Sequence, residues 1–217
     1  PAEENLSGHF GEEGAQMDVY RSDRGYSFCL AAPGETQPSL LSISHDFREA
    51  LVTLTGSNWA RFFALNNAIM MLYAFASASH NTLLMHASVI KNDNKGYLFL
   101  GKSGTGKSTH SRLWLDHIAG CELLNDDNPV VRIEHGNVRV YGSPWSGKTP
   151  CYKNDSVPLA GVVRLQQAPE NRIFPLSPLQ AYAAVLPSCS SMKWEKQMAD
   201  GIHGTVEMLT SHVSCCR

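Results

Sequence analysis

The sequence predicts an α/β chain of α+β character. The expected core is a mixed, largely antiparallel sheet with one helix behind a glycine-rich loop, and a small β region precedes it. Three observations predict this. Turn-forming runs at Asn92-Asp-Asn-Lys-Gly96 and Glu134-His-Gly-Asn137 each separate two apolar, β-rich segments, which is a hairpin pattern. A strand–loop–helix unit over residues 97–118 lies between the two hairpin signals. No train of βα units follows it, as a doubly wound sheet would require.

Residues 1–56 alternate apolar and polar side chains in short stretches such as Met17–Arg21, Tyr26–Ala31 and Ala50–Thr55, broken by Gly, Pro, Asp and Ser. They predict a small N-terminal antiparallel region. Residues 57–217 form the expected main domain. It opens with a helix over 58–79, which holds Trp59, Phe62, Phe63, Ile69 and Phe75 and no Gly or Pro, and is expected to be mostly buried. Leu83–Ile90 and Tyr97–Leu100 read as strands, and 107–118 as a helix with Leu113, Trp114 and Ile118 on one side. His110 stands in that helix where a core residue is expected. Cys121–Leu124, Val130–Ile133, Val138–Tyr141, Gly161–Leu165 and Arg172–Phe174 read as strands, and Pro178–Leu186 and Met192–Leu209 as helices.

Composition narrows the function classes. The chain has 217 residues, of which 43% are apolar and 18% charged, enough for one good core and too apolar for a disordered chain. A formal charge of −2 excludes a bulk electrostatic grip on nucleic acid or an anionic membrane. No apolar run reaches the roughly 18 residues of a membrane span, and the polar, acidic start does not resemble a signal peptide. Six cysteines without a Cys-x-x-Cys pair or zinc spacing predict reduced thiols in a cytoplasm.

The chemistry concentrates in one stretch. Gly101-Lys-Ser-Gly-Thr-Gly-Lys-Ser108 satisfies G-x-x-x-x-G-K-[ST] in full, with a strand before it and a helix after it. Glycines let successive N–H groups turn inward toward phosphate oxygens. The helix start adds its unsatisfied N–H groups and positive dipole end. Gly101, Ser103, Gly104, Thr105, Gly106, Lys107, Ser108 and Thr109 are therefore the expected nucleotide contacts. Lys107 supplies charge for the outer phosphates, and the Ser108 hydroxyl is an expected Mg²⁺ ligand. A carboxylate must complete such a site. Asp126 and Asp127 follow a short apolar strand, and a strand running parallel to the one feeding the loop would bring them beside Ser108. Adjacent side chains on an extended strand point to opposite faces. Both can serve one site only if the strand ends and turns there, which Asn128-Pro129 allows.

The loop through Thr109, together with Leu124-Asn-Asp-Asp127, resembles the paired nucleotide motifs of the HPr kinase and PEP carboxykinase superfamily. Leu84-Met-His-Ala-Ser88 resembles the His-containing strand of HPr kinase-like proteins, and Tyr141-Gly-Ser-Pro-Trp-Ser-Gly147 a loop of their small relatives. The resemblance spans roughly residues 80–165 and implies a PEP carboxykinase-like sheet. It also implies an ATP-using phosphotransferase with Mg²⁺ or Mn²⁺ that acts on a serine hydroxyl of a protein or peptide. Carried over, Asp126 becomes the base, Asp127 lies on the metal side and His86 tunes or orients the pair. The extra arginine and metal-ligand motifs of full PEP carboxykinases are missing, and residues 1–56 match nothing in the superfamily. Two readings stay open for each of three residues. His86 is a tuning group or a satisfied strand-edge histidine, Lys148 a phosphate contact or a loop lysine, and Trp145 a base-stacking or a core side chain. Small-molecule phosphoryl transfer, carboxykinase-like chemistry and a non-catalytic ATP-binding module are the alternative functions.

Overall fold

A computed structural model describes residues 5–12, 15–147, 149–192 and 194–217, with side chains from residue 18 onward. The chain divides into two compact units, Pro1–Ala76 and Ser77–Arg217.

The first unit is a five-stranded sheet in sequence order, β1 (Asn5–Glu12), β2 (Ala15–Ser22), β3 (Gly25–Ala31), β4 (Ser39–Ser44) and β5 (Ala50–Thr53), followed by helix α1 (Asn58–Ser77). Every neighbouring pair is antiparallel. Strict alternation explains the sheet: Tyr26, Phe28 and Leu30 of β3 and Leu41 and Ile43 of β4 are buried, and the residues between them are less so. Gly25 lets two strands approach closely, since its φ is +146° and a Cβ there would stand 1.9 Å from the Ile43 carbonyl oxygen.

Helix α1 starts where the pattern predicts, but the expectation that it is mostly buried is corrected. Its buried stripe is built mainly of alanines, Ala60, Ala64, Ala68 and Ala74, with Met71 and Phe75. Phe75 stacks on Phe28 with ring centroids 5.6 Å apart. Phe62 and Ile69 are 70% and 50% exposed, so much of the bulky apolar surface of the helix faces out while the alanines face in.

The second unit is an eight-stranded sheet. Its strands are β6 (Thr82–Leu84), β7 (Ala87–Asn92), β8 (Lys95–Leu100), β9 (Glu122–Asp127), β10 (Val130–Glu134), β11 (Asn137–Tyr141), β12 (Ser156–Arg164) and β13 (Ser214–Cys216). The order is β6-β10-β11-β12-β8-β7-β9, with β13 on β12. Helix α2 (Lys107–His117) follows the glycine-rich loop; α3 (Pro178–Val185) and α4 (Lys196–His212) come near the end. Both predicted hairpins are present, β7–β8 and β10–β11, with left-handed residues Asp93, Asn94, His135 and Gly136 in their turns. The sheet is mixed, since β12 runs parallel to both β8 and β13.

Three expectations are corrected. The run Leu83–Ile90 is two strands, broken at Met85-His86, because the chain bends there toward Cys189 and Ser188. Residues 172–174 are not a strand, although Phe174 exchanges both backbone hydrogen bonds with Arg217. The last helix begins at Lys196, four residues beyond Met192.

The break in β6–β7 matters for the site. β6 pairs with β10 and β7 with β9, both antiparallel, so two long strands bend together at Met85-His86 and Asn128-Pro129. β9 runs in the same direction as β8, with β7 between them. The ends of β8 and β9 therefore open on the same side of the sheet.

Candidate functional site

The loop between β8 and α2 has the backbone that its glycines foreshadow. Gly104 and Gly106 have φ of +78° and +107°, in the region L side chains avoid. Gly101 is packed, and a Cβ there would lie 3.0 Å from Thr105 Cβ. Thr105 N–H donates to the Lys102 carbonyl at 3.1 Å, and Gln167 Nε2 donates to the Gly104 carbonyl at 3.4 Å. Ser103 and Thr109 are exposed. No side chain caps the start of α2. The first-turn N–H groups and the positive end of the helix thus stand beside the loop. His110 explains its odd position in α2. It packs edge-on against Phe99 at 4.7 Å, and its Nε2 accepts from Trp114 Nε1 at 3.2 Å. Partial burial pushes its pKa below the ordinary 6.5, which favours the neutral ring that accepts from Trp114.

Lys107 is 9% exposed, and its ammonium donates to the Gly101 carbonyl at 3.0 Å and contacts His86 Nε2 at 2.7 Å. His86 Nδ1 lies 3.1 Å from Asp127 Oδ1. A neutral ring protonated on Nδ1 satisfies both contacts: Nε2 accepts from Lys107, and Nδ1–H donates to Asp127. The bend at Met85-His86 puts this ring between loop and carboxylate. The three side chains form one chain of hydrogen bonds.

Asp126 lies elsewhere. It is 3% exposed, and its Oδ1 accepts from Ser108 Oγ at 3.0 Å. The carboxylate expected as base therefore touches the hydroxyl expected to bind metal. The carboxylate expected on the metal side pairs with His86. The side chain of Asp127 keeps 33% of its surface exposed.

One backbone feature lets neighbouring carboxylates serve the same site. Asp127 has a φ of +118°, which turns the end of β9 and cancels the alternation of an extended strand. A non-glycine residue held there is strained, so surrounding bonds must fix it. Asn125 fixes it from below. Fully buried, it donates through Nδ2 to the Trp145 carbonyl at 3.0 Å and to Ser143 Oγ at 3.2 Å, and its Oδ1 accepts from Asn128 N–H at 2.9 Å. The 142–151 loop fixes it from the side. Gly147 N–H and Ser146 Oγ both donate to the Asp126 carbonyl, at 2.6 and 3.1 Å. A Cβ on Gly147 would lie 3.0 Å from Asp127 Cβ, so any side chain there would push on the carboxylate. Asn128 Nδ2 donates to Asp127 Oδ2 at 2.9 Å.

Sequence reasoning missed Asn125, Ser143, Ser146 and Gly147 as supports. The resemblance marked Tyr141–Gly147 as a loop but did not say what it holds. Trp145 is 7% exposed, so its ring is a core side chain. Lys148 lies outside the described residues.

Residues 53–210 match the family described as SynChlorMet cassette protein ScmC. The chain belongs to that family. The ScmC match covers α1 and the whole of the site, and no curated protein matches the chain. It overturns the assignment to the HPr kinase and PEP carboxykinase superfamily, because the family found is the ScmC family and no kinase family is found. The motifs behind that assignment are short phosphate-loop and Asp-Asp elements, which unrelated families can share. The geometry of Lys107, Ser108, His86, Asp126 and Asp127 stands independently of it.

Proposed function

We propose that this chain is an ATP- and Mg²⁺-dependent phosphotransferase acting on a hydroxyl group, with a serine of a protein or peptide as the acceptor, in the cytoplasm. The observation that carries the reading is the meeting of a complete glycine-rich loop with two carboxylates in different surroundings. One is buried on Ser108 and the other is part-exposed on His86.

The roles follow from the contacts and exchange those expected of the two aspartates. Ser108 and Asp126 would hold Mg²⁺, since both offer oxygen ligands and already lie within hydrogen-bond distance. When bound, the ion neutralises charge on the outer phosphates. The loop N–H groups and Lys107 hold and orient those phosphates. Asp127 receives the proton of the acceptor hydroxyl. Its exposed side lets a hydroxyl approach, and His86 fixes its other face. His86 also couples the base to Lys107, so base and phosphate clamp keep a constant spacing. The protein's contribution is positioning and charge, which is what phosphoryl transfer needs. The cassette named in the family description directs the search for the acceptor to the other products of that cassette.

Incubation with γ-labelled ATP, Mg²⁺ and those products tests the reading. Label on a serine of one product supports it. ATP binding without turnover or transfer to any of them would make the chain a nucleotide-binding module instead.

A further inference from the structure

The β10–β11 hairpin carries a feature that the glycine-rich site does not use. Arg132 and Arg139 stand directly opposite each other across the hairpin, on the face away from Val131, Ile133, Val138 and Val140. Like charges in directly opposed positions destabilise a sheet. The bonds to neighbours only partly engage them. Arg132 meets Glu134 at 2.8 Å, and Arg139 donates through Nη2 to the carbonyl and hydroxyl oxygens of Ser156 at 2.8 and 2.9 Å.

The end of α4 closes the other side. His212 donates through Nδ1 to the Met208 carbonyl at 2.8 Å, so its Nε2 points away from the helix. It points at the hairpin turn, where a side chain on Gly136 would stand 4.0 Å from it. His135, with a φ of +50°, occupies the same turn. Between hairpin and helix end lies a cavity of about 500 Å³, lined by both arginines, both histidines, Tyr141 and the carboxylate of Glu134. Two arginines and two histidines line it against one acid. Leu159, also on the wall, pairs with Gly96 at the start of β8, whereas the glycine-rich loop follows its end. The two places are therefore at opposite ends of that strand.

We propose that this cavity binds a small oxyanion, a phosphate or dicarboxylate group, held between Arg132 and Arg139 and flanked by His212 and His135. An oxyanion between the guanidiniums relieves their repulsion and takes their remaining N–H donors in the fork geometry that suits phosphate and carboxylate. This inference goes beyond the proposed transferase activity and does not depend on it.

Histidine resonances give a local readout, which phosphate held at the glycine-rich loop does not enter. Signals are assigned by their loss in His135→Gln and His212→Gln. Inorganic phosphate and malonate are then titrated separately into the full chain at constant ionic strength. Saturable shifts of the His212 and His135 signals with phosphate point to a phosphate ligand, and with malonate alone to a dicarboxylate; either supports the proposal. In Arg132→Gln/Arg139→Gln the affinity falls at least tenfold, and Arg139→Lys, which keeps the charge but loses the fork, gives an intermediate loss. Shifts that grow linearly with both anions, or that persist unchanged in the double variant, overturn it. Unchanged backbone spectra in the variants confirm that the fold is kept.

Discussion

The two units use the same material differently. In Pro1–Ala76 the strands follow one another as an antiparallel meander, and alternation accounts for the buried side chains of β3 and β4. In Ser77–Arg217 the strands that matter are broken: the run through Met85-His86 bends, and β9 ends on a residue with φ of +118°. The regular sheet carries no cluster of chemistry among its described side chains. The irregular one brings a lysine, a histidine, a serine and two carboxylates together. Departures from strand regularity thus coincide with the candidate site, and strain persists there because buried bonds over-determine it.

Substitutions sharpen or break that contrast. The largest expected effect is Lys107→Ala, which removes the charge aimed at the outer phosphates and the anchor of His86; transfer should fall about 10²–10³-fold. Steady-state turnover checks it, and a variant with parental turnover contradicts the proposed site. Two close-approach glycines, Gly25 and Gly147, then separate the units. Gly25→Ala drives a methyl into the Ile43 carbonyl at a φ of +146°, and should destabilise the meander by about 3 kcal/mol or more, read by thermal unfolding. Gly147→Ala meets Asp127 Cβ at 3.0 Å, Asp127 Cγ at 3.3 Å and the Asp126 carbonyl oxygen at 3.4 Å, contacts that a small shift of the carboxylate relieves, and should cost little stability. It should lower turnover about tenfold, because a carboxylate moved by a fraction of an ångström loses its alignment. If Gly147→Ala instead unfolds the chain and keeps its activity per folded molecule, the loop braces the fold and not the carboxylates.

The smallest effect is a pH dependence. His110 is held neutral by burial, with its folded pKa below the ordinary 6.5. The unfolded chain therefore takes up the proton first. The stability His110 contributes is complete above about pH 6.5 and is lost as pH falls toward the depressed folded value. His110→Leu should flatten that slope in denaturant titrations at several pH values. An unchanged slope would show that His110 is not the group responsible.

Much of this was legible in the residues. Turn chemistry at Asp93-Asn94 and His135-Gly136 located both hairpins, and glycine spacing located the loop before α2. The nearness of the Asp126-Asp127 pair to Ser108 followed from strand direction, although β7 intervenes between the two parallel-running strands. What could not be read was set by long-range contact. Nothing local in Leu83–Ile90 announces a bend, because Cys189 and Ser188, a hundred residues on, create it. Which of Asp126 and Asp127 touches Ser108 was equally hidden, since one backbone angle, fixed by Asn125 and the 142–147 loop, decides which carboxylate faces Ser108. The face of α1 was misjudged for a related reason: close packing selected its alanines for the interior.

The different surroundings of the two carboxylates are the centre of this account, and calorimetry of ATP binding over a range of Mg²⁺ concentrations tests them without any acceptor. The parent should bind ATP more tightly as Mg²⁺ rises. Asp126→Asn should lose most of that dependence, because it removes the charge beside Ser108. Asp127→Asn should keep it. A parent that does not bind ATP, or two variants with the same Mg²⁺ dependence, would contradict the assignment of Asp126 to the metal and Asp127 to the acceptor.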